Sequence, residues 1–205
     1  MRYRLFTALE LPAHLQATLA DLQTSFAAQL PPRAVRWVKP DGLHLTLKFY
    51  GDVRAERVPE FQAGITRAAD GAGASAAATP LTLRGLGVFP SPARPQVLWV
   101  GLEGDLAPLH RLQTSVEAEA EALGYPPDAR PFAPHLTLGR VRARLSPAEL
   151  DLLLAFLRGA HAEPLGEFYP SRLSLMSSDR RPMGAVYTAI HAVALYTKER
   201  APGTA

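Results

Sequence analysis

Two tetrapeptides in this 205-residue chain are identical: His44-Leu45-Thr46-Leu47 and His135-Leu136-Thr137-Leu138. With this composition a His-apolar-Thr-apolar match arises roughly 0.1 times per chain by chance, so an identical pair calls for a cause. On a strand, alternate residues share a face, so each histidine points the same way as its threonine while the leucines point behind. The two polar side chains then sit about 6.6 Å apart along the strand, and both can reach one phosphate group. A neutral imidazole can take a proton from water, and an imidazolium can give one to a departing alkoxide. Threonine hydroxyls can donate to non-bridging oxygens as charge builds there. Two facing His-Thr pairs would thus be equipped to open a phosphodiester by acid–base catalysis. A cyclic phosphate, already strained, needs no metal for this.

Other candidate residues are weaker. Lys48 shares the His44 and Thr46 face by strict alternation, which makes it a candidate phosphate ligand. Trp37 reads as a residue of the core edge. Arg94, Arg180 and Arg181 lie in loops that could flank the site and hold a phosphate backbone. His14, His110, His161 and His191 stand without partners and read as structural. No pair has metal-ligand spacing, and the chain lacks cysteine, so neither a metal site nor a thiolate nucleophile is expected. No cofactor is implied.

The elements that must position these residues follow from periodicity and punctuation. Tyr3 to Leu9 reads as a strand, and Leu15, Leu19, Leu22 and Phe26 form a helical stripe ended by Pro31-Pro32. Val35 to Val38 is extended, Pro40-Asp41-Gly42 is a turn, and Leu43 to Tyr50 is a strand. A helix from about Arg54 to Ala69 is followed by the Gly/Ala-rich stretch Asp70 to Pro80, read as a loop. Strands Leu81 to Phe89 and Gln96 to Leu102 come next. Asp105 then caps a helix that Gly124 ends. After the strand His135 to Val141, Ser146-Pro147-Ala148-Glu149 forms a capping box for a helix closed by Gly159. Strands Arg172 to Ser177 and Ala185 to Leu195 flank a basic loop, Ser178 to Gly184, and the tail from Lys198 reads as flexible.

Laid side by side, the halves repeat: a helix, the HLTL strand, a second helix, then two strands. The expected fold is α+β and bilobal: two pseudo-symmetric lobes of largely antiparallel sheet with outer helices and an active-site cleft between them. Residues 1–197 are expected to form one such domain and 198–205 a flexible tail.

The net charge of +3 favours a polyanionic partner, and all basic residues except Lys39, Lys48 and Lys198 are arginines. No apolar run suits a membrane span or a signal peptide. A reducing cytoplasm and a monomer are the expectations.

The segment Arg36-Trp37-Val38-Lys39-Pro40-Asp41-Gly42-Leu43-His44-Leu45-Thr46-Leu47-Lys48-Phe49-Tyr50-Gly51 closely resembles the first signature of the RNA 2′,3′-cyclic phosphodiesterases. These enzymes, also called 2′-5′ RNA ligases, belong to the 2H phosphoesterase superfamily. Arg4 to Pro12 resembles their first strand, and Phe132-Ala133-Pro134-His135-Leu136-Thr137-Leu138-Gly139-Arg140 their second signature. The resemblance implies hydrolysis of RNA 2′,3′-cyclic phosphate ends to 2′-phosphomonoesters, with a weak, reversible, ATP-independent 2′-5′ ligation. It also implies that His44 is the proton donor to the leaving oxygen, His135 the base that activates water, and Arg140 a phosphate ligand. Strict alternation would turn Arg140 away from His135, so Gly139 must break the pleat or end the strand. Thr7 departs from the aromatic or apolar residue common after the Phe6 position, which bears on base stacking by this strand and not on the histidine pair. The alternative of another class is a non-catalytic RNA-end-binding protein on the same fold.

Overall fold

The computed structural model describes residues 1–142, 145–159, 163–181 and 184–195. The tail from Lys198 and His161 lie outside them. Nine strands join in one antiparallel sheet of order β7-β4-β5-β6-β3-β1-β8-β9, with β2 paired to β6. In chain order these are β1 (Arg2–Glu10), α1 (Ala13–Gln29), β2 (Val35–Trp37), β3 (His44–Arg54), α2 (Val58–Ala77), β4 (Leu81–Phe89), β5 (Val97–Glu103), α3 (Ala107–Ala122), β6 (His135–Val141), α4 (Pro147–Gly159), β7 (Gly166–Phe168), β8 (Arg172–Arg181) and β9 (Gly184–Ala194). No helix among the described residues is long and apolar enough to cross a membrane.

The sheet curls, and its two halves meet at β3 and β6 through a single registered pair, Leu45↔Leu136. One lobe holds β3, β1, β8 and β9 and is backed by α2 and α3. The other holds β6, β5, β4, β7 and β2 and is backed by α1 and α4. The lobes are therefore not the two halves of the sequence. β1 pairs with β8 from the far end of the chain, with Leu5 opposite Ser177, and α1 crosses to the β6 side. There its Gln23 amide donates to the carbonyls of Val38 and Leu138, at 2.8 and 2.9 Å. The sequence repeat is real, but the lobes exchange elements.

Leucines Leu5, Leu9, Leu45, Leu47, Leu136 and Leu138 face the helices in one core. The opposite face of the sheet carries a separate small cluster, with Phe6 and Ala8 on β1, Met176 on β8 and Tyr187 on β9. This split is what frees one face for chemistry. The Ser146 capping box closes reciprocally, with Ser146 N–H donating to Glu149 and Glu149 N–H to Ser146 Oγ. Asp105 accepts from Ala107 N–H at 3.0 Å.

Three local expectations are corrected. The stretch from Asp70 is not a loop, because α2 continues to Ala77. Its alanines favour helix, and its small residues permit close packing: a Cβ on Gly73 would lie 2.5 Å from Leu195 Cδ2. The Ser178–Gly184 loop is mostly strand, since β8 runs to Arg181 and β9 begins at Gly184. In α1 the fully inward residue after Leu19 is Gln23, while Leu22 is only half-buried. A glutamine at a core position is tolerated because both of its donors find carbonyls.

Candidate active site

The single Leu45↔Leu136 pair is the local centre of symmetry. In antiparallel pairing, residues directly opposite share a face, so both leucines are core and their neighbours His44, Thr46, His135 and Thr137 all face the other way. His44 stands across from Thr137, and Thr46 across from His135. The two imidazoles are thus diagonal neighbours, a relation that in regular pairing separates Cα atoms by roughly 7–8 Å. The sequence motifs meet as a two-by-two set on an open face.

Each imidazole is held the same way. His44 Nδ1 lies 2.7 Å from the Gly42 carbonyl, and His135 Nδ1 lies 2.7 Å from the Ala133 carbonyl. A carbonyl only accepts, so each Nδ1 carries the hydrogen and each Nε2 is left with a free lone pair. Among the described residues neither Thr46 nor Thr137 has its hydroxyl tied to a protein partner. Both remain available as donors.

Aromatic rings wall both histidines. Phe6 and Tyr187 lie 4.7 and 4.9 Å from the His44 ring, and Phe89 and Trp99 lie 5.0 and 6.3 Å from the His135 ring. Gly42 makes room for Tyr187, since a Cβ there would stand 3.0 Å from its ring. Burial by these neighbours lowers the His44 pKa from its ordinary 6.5. The Gly42 carbonyl acts against the shift and the charge of His135 adds to it. His44 is therefore held neutral in the free site at neutral pH.

Three β-bulges decide what else reaches this face, at Leu47 and Tyr50 in β3 and at Leu138 in β6. Between β1 and β3 the register steps from Ala8↔Thr46 to Thr7↔Lys48, so Leu47 is extra. Beyond it the alternation inverts. Lys48 turns to the helical side and Phe49 to the histidine side, which corrects the placement of Lys48 beside His44. Lys48 is 2% exposed, and its ammonium pairs with Glu117 at 2.7 Å, donates to the Pro126 carbonyl at 2.8 Å and lies 3.8 Å from Asp128. It is a buried tether between β3, α3 and the loop before His135. Strict alternation failed because a bulge is one residue long and leaves no mark on hydrophobic periodicity.

The same device recurs in β6. The register with β5 steps from Trp99↔Thr137 to Leu98↔Gly139, so Leu138 is extra. Its carbonyl accepts from Gln23 and from Val38 N–H. The pleat thus breaks just before Gly139, and parity returns exposed Arg140 to the histidine side. Gly139 is required by the approach of β2, since a Cβ would lie 2.5 Å from Val35 Cγ1. Among the described residues Arg140 has no carboxylate partner.

The remaining candidates fall outside this group. Trp37 packs in the core against Phe26 at 5.9 Å, and Thr7 is buried on the helical face with its hydroxyl 2.7 Å from that of Tyr50. Burial pushes the Tyr50 pKa up to about 12. Arg181 pairs with Asp179 at 2.9 Å, and Arg94 is exposed in the β4–β5 turn. His110 packs on Phe132, and His191 contacts Thr66. Sequence reasoning did not find Phe6, Phe49, Phe89, Trp99, Tyr187 or Gln23. The first five are scattered aromatics that only the sheet gathers, and Gln23 could have been flagged as a polar residue on an apolar stripe.

The chain has relatives among known proteins. The family described as LigT like Phosphoesterase matches residues 9–99 and 100–187. An RNA 2′,3′-cyclic phosphodiesterase of Methanothermobacter thermautotrophicus is 30% identical over 188 residues, covering 92% of this chain and 96% of its own. One from Thermus thermophilus is 32% identical over 210 residues, covering 98% and 96%. Among solved structures, a protein of Thermus thermophilus aligns with a TM-score of 0.69 at 29% identity, over 95% of this chain and 99% of its own. Escherichia coli LigT complexed with 3′-AMP aligns at 0.65 and 25% identity, over 95% and 99%. With the family matched along most of its length and its lobes superposing on those structures, the chain belongs to the LigT-like phosphoesterases.

Proposed function

We propose that this protein hydrolyses RNA 2′,3′-cyclic phosphate ends to 2′-phosphomonoesters with the two imidazoles as its acid and base. The observation that carries the reading is the symmetric His/Thr set about Leu45 and Leu136, with both Nδ1 atoms anchored on backbone carbonyls and both Nε2 lone pairs left free. Relatives named for this activity support it. His135 Nε2 takes a proton from the attacking water, and His44 Nε2 gives one to the departing ribose 3′ oxygen. The P–O3′ bond breaks as the new P–O bond forms, and solvent restores the two protonation states. Thr46 and Thr137 donate to the non-bridging oxygens, and Arg140 adds a guanidinium to the same anion. An RNA 5′-hydroxyl attacking in place of water, with the same P–O3′ bond breaking, gives a 2′-5′ linkage without ATP, and attack of the 3′-hydroxyl on that linkage reverses it. Among the described residues no three His, Asp or Glu side chains are grouped to hold a metal ion. The reaction as proposed routes no step through one. Both motifs come from one polypeptide, so a monomer suffices.

His44 must be protonated to act as the acid, and burial opposes that in the free site. The anionic phosphate supplies the compensation, because a negative charge beside an imidazole raises its pKa. The kcat/KM profile in EDTA should therefore be bell-shaped, its limbs belonging to the coupled pair, with at least one centred below pH 6.5. In NMR titrations the His44 ring should titrate below 6.5 in the free protein and move upward when a nucleoside 2′-phosphate binds. A flat rate profile from about pH 5 to 9 would remove both groups from the rate-limiting chemistry. The same shift has a thermodynamic sign. The unfolded chain takes up the His44 proton first as pH falls below 6.5, so stability declines on that side, and less so in His44→Ala.

Arg140 is exposed and, among the described residues, has no ion-pair partner, so Arg140→Ala should leave the melting temperature within about a degree or two, as surface changes do. Steady-state kinetics should show kcat/KM lower by roughly 10- to 100-fold, the scale of a lost charge-assisted hydrogen bond. Unchanged kinetics would place Arg140 outside the site.

A further inference from the structure

We propose that the sheet face running from His44 along β1 and β3 is a subsite for the penultimate nucleotide of a single-stranded RNA end, built from Phe49 and Arg4. The inference rests on the RNA-end reading above and adds which part of the RNA is recognised beyond the reacting phosphate.

Phe49 is 41% exposed, yet it is not an isolated surface aromatic. Its ring stacks on Phe6 at 6.4 Å with 23° between planes, and Phe6 in turn lies 4.7 Å from His44. The row His44, Phe6, Phe49 therefore starts at the reacting group and leads outward, ending in an open aromatic face. The Leu47 bulge is what puts Phe49 there; regular pairing would have buried it and exposed Lys48 instead.

The Arg4 guanidinium lies 4.4 Å from the Phe49 ring centroid. Among the described residues it has no carboxylate within ion-pairing distance, although Asp52 is its registered partner on β3. Beyond Arg4 the same face carries Arg2, paired in register with Arg54, both exposed. Arg2 and Arg4 are about 6.6 Å apart along the strand. Among the described residues of β1 and β3, three guanidiniums (Arg2, Arg4 and Arg54) share this stretch with one carboxylate, Asp52. An aromatic platform followed by unpaired cations is what a single-stranded nucleic acid requires: a π face for a base and charge along the backbone. The pseudo-symmetric position in the other lobe, after the β6 bulge, holds Arg140 and no aromatic residue. The two ends of the site thus differ, and an RNA strand with polarity can tell them apart.

The test compares a trinucleotide ending in a 2′,3′-cyclic phosphate with the corresponding mononucleoside 2′,3′-cyclic phosphate. The ratio of their kcat/KM values should favour the trinucleotide in the natural protein. In Phe49→Ala that ratio should fall by roughly five- to a hundredfold, the range stacking of one base supports. Arg4→Gln should lower it too, and should flatten the salt dependence of RNA binding by about 0.7 in log–log slope, one phosphate contact on a single strand. An unchanged ratio in both variants overturns the subsite while leaving the proposed activity standing. Binding of a fluorescein-labelled RNA ending in a 2′-phosphate, followed by anisotropy, reads the subsite without turnover. If the natural protein cleaves neither substrate but binds this RNA, and loses it on Phe49→Ala, the activity reading fails and the subsite holds. If Phe49→Ala binds it as the natural protein does, the subsite fails on its own.

Discussion

His44→Ala and His135→Ala should each lower turnover of a 2′,3′-cyclic phosphate by at least about a hundredfold, and by as much as about ten-thousandfold, the scale of losing a general acid or base. Neither change disturbs the ladder, because both side chains project from strands whose leucines carry the packing. Each variant removes one imidazole, held by a single hydrogen bond from its own Nδ1 and proposed above as a proton-transfer group. The double variant should be little worse than either single one, since an acid without its base cannot complete the transfer. Single-turnover rates with circular dichroism as the fold control check this. Retention of near-normal rate in one variant would remove that histidine from the chemistry.

The second large effect concerns stability. Lys48→Met should cost about 3–5 kcal/mol, because it leaves the mostly buried Glu117 carboxylate without its cation. Glu117 keeps one hydrogen bond, from Gln113 Nε2 at 3.0 Å, but its other oxygen loses its ammonium partner. The Pro126 carbonyl loses its donor as well, which loosens the loop that leads to Ala133 and His135. Urea unfolding measures the cost. The double variant Lys48→Met with Glu117→Leu should regain most of it, since a buried pair replaced by apolar side chains is often neutral. A cost below about 1 kcal/mol in the single variant would mean that Lys48 behaves as a surface ion pair.

The contrast between these residues shows what the sequence made legible. His44, Thr46, His135 and Thr137 could be placed on one face because the period-2 alternation holds across four residues and their leucines mark the core side. The antiparallel α+β architecture followed from short connections and turn residues. Lys48 and Phe49 could not be placed, because a one-residue bulge swaps their faces and its cause lies in the neighbouring strand's register. Arg140 was the instructive case: the demand that Gly139 break the pleat pointed at a bulge before any register was known. The exchange of β1, β8 and β9 into one lobe was invisible, because a sequence repeat records similarity of parts and not which parts pair. The end of α2 was missed because Gly and Ala read as flexible, although here they are small so that α2 can approach Leu195.

The most direct test of the central claim is incubation of EDTA-treated protein with an RNA oligonucleotide ending in a 2′,3′-cyclic phosphate. The product end would be identified with a phosphatase and against 2′- and 3′-phosphate standards. Metal-free conversion to the 2′-phosphate is the expected result, with O3′ as the leaving atom. A 3′-phosphate would reverse the orientation assigned to the substrate between His44 and His135. No product, with the RNA still bound, would contradict the account and leave a protein that recognises RNA ends without opening them.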